Sequence, residues 1–266
     1  MARGLRAFAT TAALLGIATT AHAQQATDPR VADLVAAGQV RFGTFPPQYT
    51  KDNTTGELKG PWVEVMRALG AHMGLAVVFT EVPNPSKLIE CLDAGLCDIA
   101  SLGFDPTRAN QVGGFTPPFM QVEYTYLLPL GSAIRSVADA DRAGIRIAVV
   151  RNHASTLALG RIIKQAEQVS VETPDAAFDV LRSGRVDAFA SVRPALMDYS
   201  AELSGSRVLE DSFGANFPAL VVPKGKAERL SYISEFVEEA KAWGVVQRAI
   251  DRAGQPGYRV AAPAKP

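Results

Sequence analysis

The stretch LDAGLCDIAS (residues 92–101) returns later in the chain as LRSGRVDAFAS (181–191), and this echo constrains the fold more than any other feature. Both copies read Leu-x-x-Gly-x-x-Asp, followed by small apolar residues and a serine. Gly95 and Gly184 stand where a helix ends in the left-handed conformation, which glycine adopts without a Cβ penalty. The chain then turns into a buried strand ending near Ser101 or Ser191. The surroundings of the two copies also correspond. VRFGTF (40–45) and AVVFTEV (76–82) read as strands around a helix, PWVEVMRALGAHMG, that carries Trp62, Val65, Met66, Leu69 and Met73 on one face. SKLIECLDAG reads as a second helix. In the second half RIAVV (146–150) and VSVET (169–173) read as strands, and ASTLALGRIIKQA (154–166) and PDAAFDVLRSG (174–184) as helices. Such alternation predicts an α/β fold of two lobes, each a mainly parallel sheet flanked by crossover helices. An open sheet of this kind presents its binding crevice at the carboxyl ends of its strands.

Two segments rich in β-formers, VEYTYLLPLG (122–131) and NFPALVVPKG (216–225), read as paired strands crossing between the lobes. The expected division is therefore lobe 1 over 27–126 plus 221–256 and lobe 2 over 127–220. The helical stretch 227–254 packs back on lobe 1, and 257–266 is expected to be a loose tail.

Arg3 and Arg6 precede an apolar run from Ala7 to Ala18, and Ala21-His22-Ala23 fits a small-residue cleavage pattern. Residues 1–23 are thus expected to be a secretory signal peptide; the run is too short for a membrane span. Its removal leaves two more acidic than basic residues, so no bulk field recruits nucleic acid or anionic lipid. Cys91 and Cys97 either bridge a helix end to the next strand, in an oxidising compartment, or stand as two buried thiols.

No nucleophile elbow, phosphate-binding glycine loop or zinc-protease motif occurs, and the cysteine and histidine spacing offers no metal cage. The chain is accordingly expected to be neither an enzyme nor the holder of a cofactor. Anion-binding features are more evident. In GFDPTRANQ (103–111), Asp105 suits an N-cap and Pro106 the first helical position. That puts Arg108 in the first turn, where the helix dipole disfavours a cation. VVRNHAST (149–156) runs from a strand end into a second helix start, whose unpaired N–H groups favour an anion.

In order along the chain, VRFGTFPPQY, GELKG, GPWVEVMRALGAHMGLAVVF, LIECLDAGLCDIASLGFDPTR, FTPPFM, SVADADRAGIRIAVV and LRSGRVDAFAS resemble the family 3 periplasmic solute-binding proteins of ABC importers. The resemblance spans Val40 to Gly254. It implies two α/β lobes joined by two strands, closing on a ligand like a clamshell. It implies a periplasmic, monomeric protein that hands a small anionic or zwitterionic solute to a permease. Arg108 matches the arginine that grips the ligand carboxylate, with Asp105 where a threonine is usual. Phe45, or less directly Tyr49, matches the aromatic residue that stacks on the ligand. Ser101 and Gly103 would add hydrogen bonds, and Asn152, His153, Ala154 and Ser155 would hold the carboxylate from the second lobe. The family's amine-pairing aspartate is replaced by Val192, with Arg193 beside it as a further candidate contact. An unpaired buried ammonium is costly, so the ligand is expected to be an organic acid. An amino acid remains compatible if another acid, such as Glu64, points inward. Two alternatives stand beside transport: an accessory or sensor subunit with a non-permease partner, and an enzyme resembling periplasmic cyclohexadienyl dehydratase.

Overall fold

The aspartates of the repeated motif perform one task in both halves. Asp98 accepts the backbone N–H of Arg41 at 2.9 Å and its Nη2 at 2.6 Å. Asp187 accepts the backbone N–H of Arg146 at 2.8 Å and its Nε at 3.3 Å. Each aspartate ties the start of one strand to the start of its neighbour. Gly95 and Gly184, at φ 66° and 71°, make the left-handed turn that delivers it there.

The protein is described by a computed structural model over residues 28–264. The signal-peptide segment, 1–23, lies outside the described residues. After a 3-10 turn (Pro29–Val31) come α1 (Ala32–Ala37), β1 (Gln39–Thr44), β2 (Thr50–Lys51), β3 (Leu58–Lys59), α2 (Pro61–Met73), β4 (Ala76–Glu81), α3 (Pro85–Asp93) and β5 (Ile99–Gly103). The second half holds β6 (Met120–Leu128), β7 (Arg146–Val150), α4 (Ala154–Gly160), β8 (Glu167–Val171), α5 (Pro174–Arg182), β9 (Ala188–Val192), α6 (Arg193–Glu202), β10 (Arg207–Val208) and β11 (Gly214–Asn216). The chain returns through β12 (Pro218–Val221) and ends with α7 (Ala227–Ala242), α8 (Val245–Ala253) and β13 (Tyr258–Val260).

The first sheet runs β4-β1-β5-β12 and the main path of the second runs β8-β7-β9-β6, then β10. In each, three parallel strands are followed by one antiparallel strand. The halves are thus topological copies, as the motif predicts. Trp62, Val65, Met66, Leu69 and Met73 are all buried as one face of α2. Burying a side chain such as Leu69 contributes about 1.5–3 kcal/mol. Cys91 and Cys97 form a disulfide with Cα atoms 5.4 Å apart.

Several expectations are corrected. β6 belongs to the second sheet from Met120 onward, and β12 joins the first sheet at Pro218. The two crossover segments pair with each other only around Val122–Asn216 before each joins a different sheet. The tail is not loose through 258–260. β13 pairs with Met120–Val122 of β6, and Tyr258 packs edge-on against Trp62 at 5.6 Å. Backbone pairing and aromatic burial hold it, and it forms a third link between the halves. α4 stops at Gly160 rather than continuing to Ala166, at the residue with the weakest helical tendency in the segment. Helix α6 went unpredicted.

Candidate functional site

Sheet order determines where the site lies. In both sheets the first strand, β1 or β7, is flanked on its two sides by strands reached in opposite directions, and the crevice of such a sheet opens at the carboxyl ends there. Phe45 and Gln48 follow β1, Gly103 ends β5 and Arg108 follows it, His153 and Ser155 follow β7, and Ser191 and Val192 end β9. All of these line one cavity between the halves. Its volume is about 30 Å³, on the scale of a single water molecule.

Arg108 ends a 3-10 turn, Pro106–Arg108, capped by Asp105, which accepts the N–H of Thr107 at 2.9 Å. So short a turn has little dipole, and the expected dipole penalty gives way to a larger one, burial. Arg108 is only 3 % exposed. Burial pushes its pKa below the ordinary arginine value, opposed by the charge of Asp105. The group nonetheless stays a cation. Its guanidinium donates to the carbonyls of Gly103, at 3.2 Å, and of Asn152 in the other half. Among the described residues no carboxylate forms an ion pair with it. Asp105 is engaged elsewhere, bridging to Arg161 of the second half at 2.6 Å. Burial alone would raise the Asp105 pKa, but the bonds from Thr107 and Arg161 hold it below the usual carboxylate range. The departure from the family's threonine therefore has a local role as a cap and as an interlobe tie.

Phe45 is buried and packs at 5.4 Å from the ring of His153, joining the two halves. Ala154 and Ser155 begin α4, where backbone N–H groups have no partner within the helix. Gly103 is a close approach: a Cβ there would fall 2.1 Å from Asn216 Oδ1 and 2.7 Å from Ala154 Cβ.

His153 is enclosed, and burial first, then the charge of Arg108, lowers its pKa to about 3. The imidazole is neutral and adds no second charge. In the unfolded chain a histidine titrates near 6.5, so between about pH 6.5 and 3 the unfolded state binds the extra proton and stability falls as pH falls. From pH 6.5 to 5 the expected loss is about 1.6 kcal/mol. Thermal unfolding against pH should show it, and the His153→Gln variant should show a flatter profile over that range. Parallel profiles for the two proteins would contradict the assignment.

Other expected contacts lie elsewhere. Arg193 does not line the cavity. Its Nε meets Glu123 at 2.8 Å and its Nη1 the carbonyl of Leu209 at 2.6 Å, because α6 begins at this residue and carries the side chain back into the second half. Ser101 is buried away from the cavity, and its carbonyl accepts the amide of Gln48 at 2.8 Å. The Asn152 side chain reaches Ser86 at 2.7 Å, outside the cavity wall. Tyr49 bonds Glu81, and Glu64 pairs with Arg252, so neither faces Arg108. Sequence reasoning missed Gln48, Trp62, Tyr124 and Asn216 in the wall. Trp62 reads from its spacing only as helix core, and Asn216 sits in a segment read as a strand.

Two copied α/β halves meeting on a buried cation form the architecture of a two-lobed binding protein. The chain belongs to the bacterial extracellular solute-binding proteins, family 3, which it matches over residues 41–255. Among solved structures, it is similar to the solute receptor for L-cysteine of Neisseria gonorrhoeae, with a TM-score of 0.75 and 23 % identity over 85 % of this chain and 94 % of that one. It is also similar to an ancestral amino acid-binding protein that is a precursor of cyclohexadienyl dehydratase, with a TM-score of 0.73 and 23 % identity over 84 % and 98 %. An ancestral arginine-binding protein bound to glutamine gives 0.71 and 25 % over 81 % and 97 %. The comparison with curated proteins finds no match. Among the described residues no helix is long and apolar enough to cross a membrane.

Proposed function

We propose that this protein captures a small carboxylate-bearing solute between its lobes in the periplasm and delivers it to an ABC permease. The observation that carries the reading is Arg108, a buried guanidinium in the interlobe cavity whose hydrogen-bond partners among the described residues are carbonyls. A carboxylate supplies the bidentate, charge-assisted partner that such a group lacks. Phe45 offers a ring to the solute, and the start of α4 offers N–H groups from the opposite lobe.

The lining of the cavity contains no carboxylate, and Val192 occupies the strand end where an amine partner would sit. An ammonium beside Arg108 would be desolvated and repelled, so the solute is an organic acid with no required amino group. A cavity of about 30 Å³ admits no such molecule until the lobes part. Binding is therefore coupled to hinge opening and closure, with the solute favouring the closed state through contacts made only there. The neighbour that is a dehydratase precursor raises the enzyme reading. Against it, the cavity wall holds no carboxylate for proton transfer, and burial lowers the His153 pKa to about 3, which leaves a weak base.

Thermal-shift measurements with paired amino and non-amino acids of equal length test the proposal. Stabilisation by the non-amino acids is expected. If the amino acids stabilise preferentially, the organic-acid reading fails. Turnover of prephenate or arogenate would replace binding by catalysis.

A further inference from the structure

Among the described residues, six buried side-chain polar atoms have no hydrogen-bond partner; Ser101 Oγ, Arg229 Nε and Tyr232 OH lie outside the cavity wall, while Trp62 Nε1, Asn216 Oδ1 and His153 Nε2 belong to residues that line it. Buried polar atoms are nearly always paired. Two of the wall atoms, Trp62 Nε1 and Asn216 Oδ1, have a fixed hydrogen-bonding sense and outline part of what the cavity receives. Each type is chemically restrictive. The indole N–H only donates, and the amide oxygen only accepts. Neither atom is charged, and the single charge in the wall is that of Arg108.

We infer that the solute is a hydroxycarboxylate, whose carboxylate meets Arg108 and whose hydroxyl accepts from Trp62 Nε1 while donating to Asn216 Oδ1. This rests on the carboxylate reading of Arg108 and names the second group. A hydroxyl satisfies a donor and an acceptor at once. A keto oxygen answers Trp62 but leaves Asn216 unpaired, and a methylene answers neither. An ammonium could donate to Asn216, but it cannot accept from Trp62 and it faces the Arg108 charge with no carboxylate nearby. Sites that hydrogen-bond a solute hydroxyl discriminate strongly against analogues lacking it, because buried groups are then stranded. Trp62 is held for this task at the start of α2, between the preceding Gly60-Pro61 turn and the edge-on ring of Tyr258. Asn216 is held by β11 pairing with Val122 of β6.

The test is calorimetric titration of the full mature chain with matched short-chain 2-hydroxy, 3-hydroxy, 2-oxo, 2-amino and unsubstituted acids. Wild-type protein should bind a hydroxy acid at least about tenfold tighter than its unsubstituted or oxo counterpart. Trp62→Phe keeps a ring against Tyr258 and removes the N–H. It should erase most of that preference, lowering hydroxy-acid affinity far more than unsubstituted-acid affinity. Asn216→Asp places a carboxylate beside the second group and should shift the preference toward 2-amino acids, a gain that a merely structural asparagine would not produce.

Equal affinity for hydroxy and unsubstituted acids, or a hydroxyl preference that persists in both variants, overturns the inference. Arg108→Met is titrated in parallel to separate the two levels. Carboxylates that bind wild type, lose affinity in Arg108→Met and show no hydroxyl preference defeat the hydroxyl assignment alone. If no acid binds wild type, the carboxylate reading itself fails.

Discussion

Replacing Arg108 with methionine is expected to weaken solute binding by about 2–5 kcal/mol, the range for removing one partner of a buried, hydrogen-bonded charge pair. The effect on folding should be much smaller. Two opposing changes nearly offset each other in the protein without solute. Removing the guanidinium relieves the desolvation that lowers its pKa, but it strands the carbonyls of Gly103 and Asn152. A lost hydrogen bond of this kind is worth about 0.5–1.5 kcal/mol. Isothermal titration calorimetry and thermal unfolding without solute together check this. Unchanged affinity would remove Arg108 from the solute site. A collapse in stability as large as the loss of affinity would make it a structural residue.

The second large effect is at Gly103. A side chain there would overlap Asn216 and Ala154 of the opposite half. Gly103→Val should therefore act as a wedge against closure and weaken solute binding by about 1–3 kcal/mol, the usual range for overpacking. Gly43 provides the contrast. Its added Cβ would fall 2.5 Å from Leu88 Cδ1 and 2.8 Å from Cys97 Sγ, inside the core of one lobe. Gly43→Val should lower the melting temperature, whereas Gly103→Val should mainly lower affinity, since parted lobes relieve its clash. Small-angle scattering with added acid would report the difference in closure. Equal compaction of Gly103→Val and wild type would show that the glycine does not gate the cleft.

Arg108 and Arg193 illustrate how far sequence reasoning reaches. Arg108 stands out because a cation lies in an Asp105-capped turn that follows the carboxyl end of a buried strand, and that placement needs only local sequence. Arg193 also follows the carboxyl end of a buried strand, β9, yet its side chain belongs to Glu123 and the carbonyl of Leu209. The two cases look alike in one dimension. They differ because β6 supplies Glu123 beside Arg193, while Asp105 beside Arg108 is already held by Thr107 and Arg161. Trp62 and Asn216 escaped notice for a related reason. Hydrophobic spacing shows that Trp62 is buried but not that its indole nitrogen has no partner. Asn216 meets Gly103 only through the return of β11 and β12 across the cleft.

By itself the sequence determined the strand and helix alternation, the duplicated Leu-x-x-Gly-x-x-Asp turn, the ordering of the two halves and the strand ends that line the cavity between them. Those features depend on periodicity, glycine conformation and capping, which act within a few residues. Tertiary structure alone decided which cation remains without a carboxylate, which wall atoms remain unpaired, and that the segment at 258–260 is a paired strand rather than a tail. Each of these depends on what a distant segment places within hydrogen-bond reach, and short-range sequence patterns carry no record of that distance.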